Sequence, residues 1–248
     1  MKRTAVIAIL LCTSANAASE SPDYIQAAIA NPHRPPEQVA FDARRKPAES
    51  IDFAGLKPGD RVGDFMPGSG YFTRIFSGVV GSAGHVYAFV PSEEIKNCTP
   101  SETAGGLALA HDRNYPNVSV ETGAVDRYAA PVPLDMVWTA QNYHDLYDKF
   151  MGPANLAMFD RAVFRALKHG GVFLVIDHVA QTGSGTRDTD TLHRIDPAVI
   201  VKDVTAAGFV PAGESDALRN PADTHTLRVF DPAIRGHTDQ VVLKFVKP

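Results

Sequence analysis

Three short groups of residues in this 248-residue chain could carry chemistry: Asn142, His144 and Asp145; Asp177 and His178; and His193 with Arg194. Imidazole titrates near neutrality and can take a proton from a substrate, and a neighbouring carboxylate orients the ring and stabilises its charged form. On that basis His144 is expected to accept the proton, with Asp145 beside it and Asp177 and His178 as the opposite wall of one cleft. The same residue types also ligate zinc or another divalent ion. No tight spacing such as His-x-x-x-His marks such a site here, so no metal ligand set is assigned. A third reading has the aspartates capping helices or tying loops down, with the histidines hydrogen-bonded beside them.

A fourth stretch, Arg61 to Phe76, reads as a buried strand ending near Phe65, a Gly-rich turn from Met66 to Gly70, and a helix opening at Tyr71. Gly68 and Gly70 leave room for a ligand to lie on the main chain. The helix start behind them offers free N–H groups. Asp64 sits at the strand exit, where ligands of open α/β sheets bind. No Gly-Lys-Ser/Thr follows the turn, which argues against a phosphate-binding P-loop.

The elements that must position these residues alternate along the chain. Strands are expected at 61–65, 85–90, 118–122, 134–140 and 172–176, from Phe209 onward, and at 240–246. Helices are expected at 23–30, 36–53 (kinked or broken at Pro47), from Tyr71, and at 101–112, 153–168 and 197–207. Leu134 to Ala140 is an almost continuous apolar run, as in a parallel strand covered on both faces. The helix at 153–168 should stop at Gly170-Gly171. Such alternation implies a doubly wound sheet. Parallel strand ends lie side by side, so the chemical groups should meet at one edge of the sheet. The stretch 181–195 is polar and Gly-rich, like a mobile lid. Arg44-Arg45-Lys46 could pair with an anionic ligand but reads first as a solvated helix face, and Trp138 reads as core. His85, His111, His169, His225 and His237 read as surface or strand-edge histidines.

The chain opens with Met-Lys-Arg-Thr, the apolar run Ala5 to Cys12, and Thr-Ser-Ala-Asn-Ala, the three parts of a secretory signal ending at Ala17. The run is too short to span a bilayer, which takes roughly 20 residues. The expected organisation is a signal at 1–17, a lead-in at 18–35 and one domain at 36–248, in the periplasm or secreted. With 28 acidic against 24 basic residues and no basic run, nothing points to nucleic acid. Once the signal is removed only Cys98 remains, so neither an intramolecular disulfide nor a cysteine metal site is open to the chain.

Seven strands, a Gly-rich turn after the first and two late strands resemble the class I S-adenosylmethionine-dependent methyltransferase fold. Pro67-Gly-Ser-Gly-Tyr-Phe-Thr73 and Asn142-Tyr-His-Asp145 resemble an exported, predicted-methyltransferase family of that fold. The resemblance implies a seven-stranded, mostly parallel sheet whose last strand inserts antiparallel between the fifth and sixth. It implies S-adenosylmethionine as cofactor and a small-molecule substrate. Carried over by position, Asp64, Gly68, Ser69 and Gly70 would line its methionine end, Asp126 would hold the adenine amino group, and Asn142 would sit under the sulfonium. The chain departs from the pattern twice. Met66 stands where the larger fold has its first Gly, and strand two lacks the carboxylate at its tip that usually holds the ribose. Glu93 and Glu94 follow a few residues on and read as a solvated helix start.

The signal makes a direct prediction. Intact mass of protein from a periplasmic fraction should correspond to a chain beginning at Ala18. Full-length chain found only in the cytosol would refute export.

Overall fold

The computed structural model describes residues 21–152 and 155–248. The expected signal at 1–17 lies outside the described residues, as does Pro153. The chain begins with α1 (Asp23–Ile29), α2 (Pro36–Val39), α3 (Asp42–Arg45) and α4 (Pro47–Ala54). The helix expected over 36–53 is therefore three short pieces. The last starts at Pro47, after Lys46 takes a left-handed conformation at φ 42°; proline suits a first helical turn, where its missing N–H leaves no bond unmade. Then follow β1 (Arg61–Phe65), α5 (Tyr71–Val80), β2 (His85–Pro91), α6 (Ser92–Asn97), α7 (Pro100–Ala108), β3 (Val118–Gly123) and β4 (Leu134–Ala140). After these come α8 (Leu156–Ala166), β5 (Leu167–His178), α9 (Thr189–Leu192), α10 (Pro197–Ala206), β6 (Val210–Ser215) and β7 (Gln240–Val246).

The seven strands form one sheet in the order β3-β2-β1-β4-β5-β7-β6. The first five pair in parallel, and β7 runs antiparallel between β5 and β6, as the resemblance implied. Gly170-Gly171 does not end α8. The helix stops at Ala166, and the two glycines lie inside β5, beside the register shift between Leu134 and Met136.

Strand residues alternate between two apolar layers, because successive side chains point to opposite faces. Phe173 and Val175 of β5 join Phe65, Phe159, Val163, Ile200 and Phe245 on one face. Leu174 and Ile176 join Trp138, Ile25, Ile75, Phe76 and Val242 on the other. Helix α1, placed in the lead-in by sequence, is thus part of the packed structure: Ile25 and Ala28 are buried, and Gly78 of α5 approaches Ala28 so closely that a Cβ there would lie 2.8 Å from the alanine methyl. No helix among the described residues is long and apolar enough to cross a membrane.

Gly63 in β1 faces the Tyr128 ring, which is packed among Phe65, Phe89 and Phe159. A Cβ at Gly63 would also lie 2.9 Å from Leu134 Cδ1. Gly63→Ala should therefore lower stability by about 1–3 kcal/mol, as overpacking does, read from the urea midpoint at unchanged slope. Gly123→Ala on edge strand β3 finds its nearest neighbour, Phe89, at 3.6 Å and should stay within about 0.5 kcal/mol of the parent.

Candidate active site

The Gly-rich turn leaves β1 with Met66, whose N–H donates to Phe89 O at 3.0 Å. Met66 itself takes φ 55°. The position demands the left-handed backbone that a glycine supplies elsewhere, and here a methionine holds it at a cost of about 1–2 kcal/mol. Its side chain is buried in the core, and Met66 O accepts from Asn142 Nδ2 at 2.8 Å. Ser69 O accepts from Gln38 Nε2 at 2.9 Å and from Arg74 Nη1 at 2.7 Å. From behind, α7 presses on the turn through two glycines: a Cβ on Gly106 would sit 2.8 Å from Gly68 O, and one on Gly105 2.8 Å from Ser69 Cα. At Gly68, by contrast, a Cβ would meet nothing within 4 Å.

The turn borders a cavity of about 450 Å³, within the range of small-ligand sites. Asp64, Gly68, Ser69, Asn142, His144, Asp145 and His178 line it, so the parallel strand ends converge as expected. Gly70 does not line it; with φ 80° it caps α5. Asp126 is also absent from the lining. It lies in a helical turn, Val125–Arg127, whose Val125 N–H donates to the Glu93 carboxylate at 3.1 Å. Glu93 therefore ties this turn to α6 and is not a free helix-start charge. Glu94 lines the cavity and is buried, with Oε2 lacking any hydrogen-bond partner among the described residues. Burial, with Asp145 and Glu102 nearby, pushes its carboxyl up to about 7. Burial likewise pushes Asp64 up to about 7, against a 2.6 Å hydrogen bond from Thr73 Oγ1 and the charge of Arg45.

Asp177 is not an opposite wall. It is fully buried behind His144, where it accepts the His144 backbone N–H at 2.7 Å, His144 Nδ1–H at 2.8 Å and the His178 backbone N–H at 2.7 Å. The chain turns into a 3-10 helix at His144–Tyr147, which brings Asp145 Oδ1 back to 3.2 Å from His144 Nε2. Burial opposes charge on the His144 ring, but the Asp177 and Asp145 carboxylates outweigh it and hold its pKa well above the ordinary value. Charge on the ring is thereby favoured, which opposes the role of proton acceptor expected of it. His178 is the opposite case. Burial, with the charges of His144, Arg194 and Arg45, holds it well below the ordinary value. It is neutral, with Nδ1 at 2.8 Å from Thr238 Oγ1.

His193 reaches the same cluster, its Nδ1 at 3.2 Å from His144 Nε2 and 3.7 Å from Asp145 Oδ1. The stretch that carries it is tied down rather than loose. Val179 and Ile195 form a bridge. Arg194 is buried, donating to Asp223 Oδ2 at 2.8 Å, Val179 O at 2.9 Å and Leu227 O at 2.9 Å. These bonds clamp the segment between β6 and β7, which brings Arg228, Val229 and Phe230 to the cavity rim. His225, read as a surface residue, pairs with Asp239 at 3.0 Å in the same segment.

A second cavity of about 610 Å³ adjoins the first and shares Arg45, Ser69, Tyr71, Gln141 and His178 with it. Its lining includes Arg44, Arg45 and Arg235 and no carboxylate. Arg45 is not part of a solvated face. Its guanidinium lies 4.6 Å from the Tyr71 ring centre and donates to Gln141 Oε1 at 2.7 Å. Sequence reasoning favoured solvated faces for Arg45 and Glu94 and did not single out Phe230. The Arg-Arg-Lys run and the Glu-Glu pair were visible signals, but nothing local told which member turns inward.

No family model matches the chain. It is 27% identical over 198 residues to the ubiquinone/menaquinone biosynthesis C-methyltransferase UbiE of Vibrio vulnificus, covering 79% of this chain and 65% of that protein. The chain thus spans slightly less than two thirds of the length of the curated relatives it matches. Among solved structures it is similar to a SAM dependent methyltransferase from Aquifex aeolicus (TM-score 0.57, 15% identity, 86% of this chain and 94% of that one). It is similar also to the 4+2 cyclase SpnF (TM-score 0.58, 17% identity, 87% and 83%). The shared feature is the α/β fold of class I methyltransferases.

Gly68 offers a clean probe of the cavity. Gly68→Val should fold, at a cost of about 1–2 kcal/mol for a branched residue at positive φ, and lose S-adenosylhomocysteine binding in calorimetry. Binding equal to the parent would make the turn a mere connector.

Proposed function

We propose that this methyltransferase-fold chain transfers a methyl group from S-adenosylmethionine to a small, negatively charged acceptor. The observation that carries the reading is the turn at Gly68 opening onto a 450 Å³ cavity between Asp64 and the partnerless Glu94 Oε2. The fit of the donor is supported by three features of the chain itself. A Cβ at Gly68 would occupy the space where a ligand meets the turn. Asp64 offers a carboxylate to a cationic amino acid end. Glu94 offers a dry oxygen to a hydroxyl, in place of the missing acid at the tip of β2. Asp126, absent from the lining, is not needed for this reading. When bound, S-adenosylmethionine supplies an electrophilic methyl on a sulfonium centre.

The remaining work falls to side chains of this protein. Asn142, anchored on Met66 O, borders the cavity beside the turn. Arg44, Arg45 and Arg235 offer charge-assisted hydrogen bonds to an anionic acceptor in the adjoining cavity. His178 borders both cavities and is neutral, so it is the side chain placed to receive the acceptor's proton. With Nδ1–H donating to Thr238 Oγ1, the ring keeps its lone pair on Nε2. Binding of both reactants in adjoining pockets provides the close approach that methyl transfer requires. The similarity to UbiE, a C-methyltransferase, supports methyl transfer as the reaction class. We propose also that the chain is exported, on the basic, apolar and Ala-x-Ala parts of its first 17 residues.

His178→Gln should keep S-adenosylhomocysteine affinity while cutting turnover roughly 10²–10⁴-fold, measured by methyl transfer across a panel of carboxylated and phosphorylated acceptors. Absence of binding of either the donor or S-adenosylhomocysteine by the parent at millimolar concentration would end the methyl-transfer reading. Affinity should also depend on pH. Asp64 is half-protonated near pH 7 in the free protein, and a cationic ligand binds the ionised form. Affinity should therefore rise as pH rises through 7, level above it, and be roughly tenfold weaker at pH 6 than at pH 8. Asp64→Asn and Glu94→Gln together should remove most of this slope, because Glu94 in the same cavity is also pushed up to about 7.

A further inference from the structure

We propose that His144 Nε2, His193 Nδ1 and Asp145 Oδ1, with a carboxylate oxygen of Asp148, form a binding site for a divalent transition-metal ion, zinc by preference. The four donor atoms lie within 4.8 Å of one another. The three measured separations are 3.2 Å between His144 Nε2 and His193 Nδ1, 3.2 Å between His144 Nε2 and Asp145 Oδ1, and 3.7 Å between His193 Nδ1 and Asp145 Oδ1. Zinc bonds of about 2.0–2.1 Å place tetrahedral nitrogen and oxygen donors about 3.3–3.4 Å apart. The cluster is therefore already near the spacing an ion would impose.

Asp148 supplies the second observation. It is buried, with 2% of its surface exposed, and its Oδ1 has no hydrogen-bond partner among the described residues. A dry, unpartnered carboxylate oxygen is costly unless a cation meets it. A third observation is the orientation of His144. Its Nδ1–H is fixed on Asp177, the outer carboxylate that commonly orients a metal-bound histidine and raises its basicity. Nε2 is left aimed at the cluster.

Proton placement leads to the same site. With a neutral His144, the lone pair on Nε2 faces an oxygen of Asp145 at 3.2 Å with no hydrogen between them. With a charged His144, Nε2–H serves Asp145, but His193 is then frustrated. Its Nε2 lies 3.1 Å from Arg228 Nη2, which can only donate, so Nδ1 carries a hydrogen pointing at another N–H. Both N–H groups must then share the single oxygen Asp145 Oδ1, at 3.2 and 3.7 Å. One ion satisfies His144, His193 and Asp145 together. Its binding moves the His193 proton from Nδ1 to Nε2 and releases Arg228, whose side chain is exposed and free to leave.

Three of the donors line the cavity and Asp148 does not. Held by all four donors the ion would be tetrahedral and closed, so an oxygen of a bound molecule would reach it from the cavity only as a fifth ligand. On the methyl-transfer reading that oxygen belongs to the acceptor; the metal site itself rests only on its own donor atoms. The ion places positive charge where the His144 proton would otherwise be, so His178 stays neutral.

The test is equilibrium dialysis of untagged, chelator-stripped protein against Zn²⁺, with metal counted by mass spectrometry. The parent and Cys98→Ser should each bind one zinc per chain. His193→Gln and Asp148→Asn should weaken binding more than about tenfold, with melting temperature near that of the stripped parent. Arg228→Ala should tighten it, because it removes the donor that holds the metal-free tautomer. Cobalt in place of zinc should give the intense visible bands of a tetrahedral site in the parent and lose them in His193→Gln. S-adenosylhomocysteine affinity measured on the same variants should persist when zinc is lost, which separates the two readings. The proposal is overturned if the parent holds no more zinc than a His193→Gln/Asp148→Asn double variant, or if Cys98→Ser abolishes binding.

Discussion

Everything at the carboxyl edge of this sheet depends on one buried carboxylate. Asp177 receives three N–H groups, two from the turn after β4 and one from its own strand end. An ionised carboxylate out of water is tolerable only with such a set of donors. Satisfying it forces the 3-10 turn at His144, locks the ring through Nδ1, and so decides which nitrogen faces the cavity. Asp145, Asp148 and His193 are arranged around that nitrogen. Removing the carboxylate would leave two backbone N–H groups and a ring orphaned in the core.

The fold was legible because it is written in local, repeated signals. The apolar strands and the turn at Met66 to Gly70 each depend on neighbours within a few residues. The convergence of Asn142, His144 and His178 with Asp64 followed from parallel strands ending side by side. The helix end expected at Gly170-Gly171 failed because Gly170 N–H and Gly171 O pair with Lys247 in the sheet, and the helix expected from Pro36 does start there but breaks before Asp42 as well as at Pro47.

The roles within the site were not legible. Asp177 was expected to face His144 across a cleft and instead stands behind it, which favours charge on the ring expected to be the base. His178, next in sequence, is held neutral by that same charge. The seat of Glu94 depends on α6 turning back toward the cavity, and that of Arg45 on the left-handed Lys46, one helix and one strand before the glycine turn. These are long-range facts about charge and burial. The similarity to a cyclase as well as to methyltransferases carries the same lesson at another scale: the sheet and its turn set where a ligand lies, while the side chains around it set what happens there.

The clamp formed by Arg194, Asp223 and Asp239 gives the cavity an unusual mechanical character. Its rim at Val229 and Phe230 belongs to the irregular segment between β6 and β7, held by polar bonds, whereas the floor belongs to the sheet. Polar clasps of this kind open by local unfolding at free energies well below that of the whole domain. An opening confined to this segment would admit a ligand without disturbing the strands of the sheet. A bound molecule would slow amide exchange with solvent at the rim while leaving the strands beneath it unchanged.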